Sequence, residues 1–320
     1  MKRLWIALAL AIGLMPLAQA QQSWPNKPLK IIVPFAPGGT SDFIARLIAA
    51  PLGEALGQQV IVENKPGNAG NLGAGLTAAA TDNHTVMLSD ISSLAISPLV
   101  TNDLPFKLKD LQGVTLLGYS PHLLAVHPSV QASSIAELVA LSKNKPVNVA
   151  SAGSGSPNHL GVVEIAQKLG MRWTHVPYKG GAQALTDTIS GTADGILNGM
   201  VATNPHVQSG KLKLIGVSSP KRLPAYPNVP TIGEQGVTGY ESGTYQGVTA
   251  PATMPADAVA KLGDALKKVM VGSVIIQRMN EAGADVVTNT PTELTAFIKK
   301  EEARWSGVVK DAGANIEGTK

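Results

Sequence analysis

The chain has 320 residues, no cysteine, and 26 basic against 22 acidic side chains, a formal charge of +4. Disulfides, thiolate metal sites and cysteine nucleophiles are therefore excluded, and a balance this small without basic blocks argues against a nucleic-acid partner. At about 100–200 residues per domain, the length favours two domains.

Lys2 and Arg3 precede an apolar run from Leu4 to about Leu17 that ends in Ala18-Gln19-Ala20. This is the pattern of a secretory signal with an A-x-A cleavage site, so residues 1–20 are set apart and the mature chain is expected to be exported. Without Lys2 and Arg3 the formal charge falls from +4 to +2. No later stretch approaches the ~18–20 apolar residues of a membrane span.

The first element after the signal is a strand over 30–35, which passes through Pro37-Gly38-Gly39-Thr40-Ser41-Asp42 into a helix with Ile44, Leu47, Ile48, Leu52 and Leu56 on one face. A strand follows at 60–63, then a helix near 72–80 and a strand at 85–89. A strand at 123–126 leads to Ser134-Ile135-Ala136-Glu137, which has the spacing of a capping box. Next come a strand over 147–151, a helix over 158–169, a strand at 173–176, a helix at 182–189, and strands at 195–198 and 212–217. After a Pro-rich loop at 218–230, residues 245–250 read as a further strand. The tail is helical over 256–271 and 274–282 and from the box Thr290-Pro291-Thr292-Glu293 onward. This alternation is that of α/β units around mainly parallel sheets. Two segments, 117–126 and 239–250, look like crossings between lobes. They imply a discontinuous first domain, with the C-terminal helices packed back on the N-terminal sheet, and a hinge over a closing cleft.

Two loops carry the chemistry. At Gly38-Gly39-Thr40-Ser41 a strand meets a helix N-terminus through glycines, whose missing side chains allow close approach to backbone N–H groups that have no helical partner. Ser151-Ala152-Gly153-Ser154-Gly155-Ser156 repeats the pattern with three hydroxyls. Each favours an anion, and together they suggest a clamp; a tight turn with an ordinary helix cap is the plainer alternative. Asp42 is expected to stabilise its helix's first turn while bordering the site. Asn68 and Asn71, in a second glycine-rich loop, belong either to a cleft wall or to an ordinary loop. His159, Tyr178, Lys179 and Asn198 fall at the carboxyl ends of predicted strands, the edge at which open α/β sheets bind ligands.

Catalytic patterns are missing: no serine sits in a G-x-S-x-G elbow, no Walker A sequence is present, and the six histidines show no H-x-x-x-H spacing. An exported α/β enzyme acting on a carboxylate, with His159 as base, remains the main rival to a binding protein.

With these residues in view, the chain resembles the periplasmic solute-binding receptors of tripartite tricarboxylate transporters, the Bug family. The resemblance runs through residues 32–42, Val62-Glu63-Asn64-Lys65-Pro66-Gly67, residues 150–156 with His159-Leu160, His175-Val176-Pro177-Tyr178-Lys179-Gly180, and Pro227-Asn228-Val229-Pro230-Thr231. It implies a two-lobed α/β fold of the type II periplasmic-binding-protein (Venus flytrap) class, with a hinge and an interlobe cleft. Lobe 1 then comprises 21–120 plus 246–320, and lobe 2 comprises 121–245. It further implies a periplasmic monomer that is not an enzyme and uses no cofactor or metal. The ligand is a small di- or tricarboxylate, acidic amino acid or aromatic carboxylate, delivered to an integral membrane permease; presentation to a membrane sensor kinase is the alternative partnership.

Carried over by motif, Pro37, Gly38, Gly39, Thr40 and Asp42 border the ligand from lobe 1, and Ser151, Ser154, Gly155, Ser156 and His159 from lobe 2. Ser89, Ser92, Ser93, Tyr178, Lys179 and Asn198 are candidates for reading its distal end. The stretch Ser89-Asp90-Ile91-Ser92-Ser93 departs from the glycine- and hydroxyl-rich loop common in the family, and Asn198-Gly199-Met200 stands where an acid followed by Asn is common. An ionised Asp90 about 4 Å from a ligand carboxylate would cost about 4 kcal/mol at an effective dielectric of ~20. Asp90 is thus expected either to face solvent or cap the following turn, or to select ligands whose distal end is a hydrogen-bond donor.

Overall fold

Three parallel strands, β1 (Leu29–Val33), β2 (Val60–Asn64) and β3 (Thr85–Asp90), begin the fold, with β1 between the other two. The computed structural model describes residues 24–313, 316 and 318; the expected signal segment, residues 1–20, lies outside them. Between these strands run α1 (Thr40–Leu56) and α2 (Asn71–Ala78). The apolar stripe read from the sequence is the buried face of α1: Ile44, Ile48 and Leu52 pack on Leu29, Ile31 and Val33 and on Leu262 and Leu266 of α8 (Ala256–Met270). Each such side chain contributes about 1.5–3 kcal/mol on burial.

After β3 the chain enters α3 (Ile91–Val100), a helix that the sequence pattern does not predict. The long β4 (Leu111–Val126) then joins two sheets. Up to Pro121 it pairs antiparallel with β9 (Gly243–Pro251), which in turn pairs with β3; from His122 to Val126 it pairs with β7 (Gly195–Gly199) and with β8 (Lys213–Val217). The second lobe is completed by α4 (Ile135–Ser142), β5 (Val147–Ser151), α5 (Pro157–Leu169), β6 (Trp173–Pro177), α6 (Gly181–Ile189) and α7 (Met200–Gln208). Helix α7 is likewise not predicted by the sequence pattern. The continuous strand order is β2-β1-β3-β9-β4-β7-β5-β6, so β4 and β9 are the two strands through which the chain passes between lobes.

The tail forms α8, α9 (Ser273–Ala282), the short β10 (Asp285–Val286) and α10 (Pro291–Ala312). Thr290 and Glu293 cap α10 reciprocally, as their spacing predicted. The expectation that the whole tail packs on the first sheet needs correction. Leu294, Phe297 and Ile298 of α10 join Met87 and Leu116, but Trp305 and Ala312 lie in the second lobe's core with Val149, Leu160 and Leu197. At 22 residues, α10 is long enough to touch both lobes.

Candidate functional site

Five helices begin directly after the carboxyl ends of β1, β3, β5, β6 and β7, and residues at all five N-termini line one cleft between the lobes. Its walls are Phe35, Gly39, Thr40 and Ser41 at α1, Asp90 and Ser93 at α3, Ala152, Ser156 and Asn158 at α5, Gly181 at α6, and Asn198 and Ala202 at α7; Thr244 and Gln246 of β9 form its floor. The atom-free space amounts to about 450 Å³. Among the described residues no Lys, Arg or His lines it. Its positive character therefore comes from peptide groups, each helix start carrying roughly half an elementary charge.

The two loops singled out from the sequence face each other here but act differently. Gly39 is the N-cap of α1 with no side-chain cap, and Phe43 N–H makes the first helical bond, to Gly39 O at 3.0 Å. The N–H groups of Thr40, Ser41 and Asp42 are thus left without helical partners. At α5, Ser156 Oγ accepts the His159 N–H at 3.3 Å and Leu160 N–H bonds Ser156 O at 3.0 Å. Pro157 has no N–H, so Asn158 supplies the remaining free donor of that turn.

The lobes touch around this cleft. A Cβ placed on Gly180 would lie 3.2 Å from Ala36 N, one on Gly199 2.8 Å from Thr40 Oγ1, and one on Gly153 3.4 Å from Ala69 Cα. Glycine at these positions lets the two walls meet.

Of the residues expected to border a ligand, Gly39, Thr40, Ser93, Ser156 and Asn198 line the cleft. The others have different placements. Pro37 and Gly38 are exposed at the mouth. Asp42 lies beside Gly38 in an adjoining depression, outside the cleft itself. Its carboxylate accepts Gly38 N–H at 3.0 Å, Arg46 Nε at 3.0 Å and Asn64 Nδ2 at 2.9 Å. Burial alone would raise its pKa, but these partners outweigh that effect and hold it below the ordinary value.

In the second loop, Ser151 Oγ is spent on His175 Nε2 at 2.6 Å and on Gly153 N–H at 3.1 Å. Ser154 is exposed and lies off the cleft. Gly155, at φ +78°, turns toward α3, where a Cβ would meet Val100 Cγ2 at 2.5 Å; its N–H goes to His159 Nδ1 at 3.1 Å. His159 itself is 1% exposed, donates from Nε2 to Ile316 O at 2.7 Å and stacks on His175 with centroids 3.8 Å apart. This neutral tautomer holds the loop's shape, and the geometry gives His159 no route to act as a base on a ligand.

The distal candidates divide similarly. Tyr178 OH donates to Asp187 Oδ2 at 2.7 Å and Lys179 is exposed, both away from the cleft. Ser92 Oγ donates to Glu301 Oε2 at 3.1 Å on the far side of α3. Ser89 Oγ is buried in β3 without a partner and outside the lining. Asn198 faces the cleft with its Oδ1 accepting from Asn158 Nδ2 at 3.1 Å and its own Nδ2 donating to Thr203 Oγ1 at 3.2 Å.

Asp90 does not face solvent. It is 3% exposed, lines the cleft and also caps α3, Oδ1 accepting Ser92 N–H at 3.1 Å and Tyr245 N–H at 3.2 Å. Burial is the largest influence on it and raises its pKa to about 8 against those two bonds, with the Glu301 carboxylate adding to the rise. Near neutral pH the group is largely protonated in the ligand-free cleft, which removes the premise of the simple repulsion estimate.

Thr244 and Gln246 belong to the returning strand, which the sequence predicts over 245–250 and as a crossing between lobes but not as part of the site; alternation along β9, which turns both to one face, is the available signal. Ser41, Ala152 and Asn158 lie inside motifs the sequence had already singled out.

Residues 44–314 match the family of tripartite tricarboxylate transporter receptors. Protein BugT of Bordetella pertussis is 33% identical over 301 residues, covering 92% of each chain. Among solved structures, an adipate-bound protein of R. palustris superposes with a TM-score of 0.86 at 31% identity, covering 91% of this chain and 98% of that one. The malate-bound MatC of Rhodopseudomonas palustris gives 0.85 at 30%, covering 89% of this chain and 100% of that one.

Proposed function

Because the chain belongs to the tripartite tricarboxylate transporter receptor family, a family of two-lobed periplasmic binding proteins, we propose that it captures a small carboxylate between its lobes and delivers it to an integral membrane permease. The observation that carries this reading is the uncapped first turn of α1 facing the Asn158 turn of α5 across one cleft. A carboxylate there meets fixed N–H donors and two positive helix ends without a lysine or arginine. Gly39, Thr40, Ser41, Ser156 and Asn158 hold it, while Asp90, Ser93, Asn198, Thr244 and Gln246 surround its other end. The binding of adipate and malate by similar proteins supports the ligand class.

We assign the lobes to residues up to 120 with 246 onward, and to 121–245, with α10 bridging them. Export by the N-terminal segment and a monomeric state belong to the same proposal.

A thermal-shift screen tests it. Ligand binding raises stability by RT ln(1 + [L]/Kd), about 2.7 kcal/mol at a hundredfold excess over Kd. Carboxylates are expected to raise the melting temperature; a shift given only by sugars or cations overturns the reading.

A further inference from the structure

Asp90 and Gln246 are direct cross-strand partners at the cleft end of β3 and β9. Both are almost wholly buried, at 3% and 1% exposure, yet both line the cleft. Asp90 Oδ1 is taken by two backbone N–H groups, those of Ser92 and Tyr245. Gln246 Oε1 and Ser93 Oγ are buried there without a hydrogen-bond partner. Asp90, Gln246 and Ser93 thus bring together buried side-chain oxygens with lone pairs left to fill, and an unpaired buried polar group is costly.

The cleft's free N–H donors lie at helix starts, foremost the uncapped first turn of α1, whose Gly39, Thr40 and Ser41 share the lining with Asp90. With no lysine, arginine or histidine among the described lining residues, a second carboxylate beside Asp90 would find no countercharge. Glu301 of α10 is held by Ser92 Oγ and Trp305 Nε1, and the charge that acts on Asp90 is the carboxylate of this second acid. From β9 Tyr245 meets Asp90 with its backbone N–H, its hydroxyl being directed to Glu241 at 3.4 Å, and from lobe 2 the neutral Asn198 and Gly181 share the lining.

We propose that Asp90 is the specificity-determining residue of the cleft and takes the ammonium group of an amino-substituted monocarboxylate, which this receptor therefore prefers to a plain dicarboxylate. This rests on the carboxylate-receptor reading. The ligand's carboxylate docks at α1 and α5; its ammonium donates to the Asp90 carboxylate and to the oxygens of Gln246 and Ser93. The ligand's positive charge supplies what the wall lacks, and a carboxylate paired in this way ionises.

Calorimetry with matched ligands tests the assignment: straight-chain dicarboxylates of four to six carbons, ω-amino monocarboxylates of the same span, and α-amino acids, each with wild type and Asp90→Asn. Asn is itself a good N-cap, so α3 keeps its start. At least one amino-carboxylate is expected to bind wild type ten times more tightly than the dicarboxylate of equal span, with a proton released on binding at pH 7. Asp90→Asn is expected to reduce that ratio at least tenfold. Tighter dicarboxylate binding that weakens as pH rises through 8, the mark of a proton shared between Asp90 and the ligand, overturns the proposal and leaves the carboxylate reading standing. An unchanged ratio in Asp90→Asn does the same. Binding by no carboxylate of any class removes both.

Discussion

Gly180 of lobe 2 meets Ala36 of lobe 1 at the rim of the cleft, where a Cβ on the glycine would stand 3.2 Å from the alanine nitrogen. The two residues lie just before α6 and just after β1, so their approach brings the walls of the site together. Gly180 also sits at φ +155°, so Gly180→Val is expected both to hold the lobes apart, weakening ligand binding at least about tenfold, or ~1.4 kcal/mol, and to lower the melting temperature of the free protein through backbone strain. Calorimetry beside thermal unfolding checks this; undiminished affinity would mean that the contact has no part in binding.

Gly155 lies off the cleft lining, so its cost falls on stability. It packs on Val100 and Ile96 at φ +78°, so Gly155→Val both strains the backbone and overfills the space beside α3. A loss of about 2–4 kcal/mol in stability is expected, read as a lower urea midpoint. A variant as stable as wild type that fails to bind would return Gly155 to the ligand's side.

His159 joins Gly155 N–H to Ile316 O. His159→Ala leaves that buried N–H unpaired and should destabilise the protein by about 1–3 kcal/mol. Mass analysis of bound ligand after long incubation with wild type should recover it unchanged; a chemically altered ligand would require a catalytic group elsewhere in the cleft.

Asp42 and Asp90 should shift stability in opposite directions with pH. The folded-state pKa of Asp42 lies below 3.8, so the stability it contributes is present above that value and lost as pH falls through the folded one. Asp42→Asn should therefore lessen acid sensitivity while weakening the turn at Gly38. Asp90 is raised from 3.8 to about 8, so between these values the folded state keeps a proton that the unfolded chain has given up, and stability falls as pH rises across that window. Ligand-free Asp90→Asn should show a flatter decline over that window. Melting temperatures from pH 3 to 9 separate the two, and a parallel profile in Asp90→Asn would contradict the burial assigned to that carboxyl.

What the sequence determined by itself is local. The strand, glycine turn and helix start at residues 29–42 and again at 147–159 were legible because cap, turn and first helical residue are chain neighbours. The Thr290 and Glu293 box was legible for the same reason. The ordered motifs also identified the family. Only tertiary structure decided which motif residues face a ligand and which brace the loop. His159 is claimed by a carbonyl 157 residues away, and Ser92 by Glu301, 209 residues away. Helix α3 escaped notice because Ile91 to Ser97 are buried on every side, leaving no amphipathic period, and its serines and Pro98 are weak helix formers. Its packing against α10 and the Asp90 cap stabilise it instead. Burial likewise set the state of Asp90: the sequence supplies an acid, but its pairing with Gln246 across β3 and β9 and its removal from water make it the proton-bearing wall of the cleft.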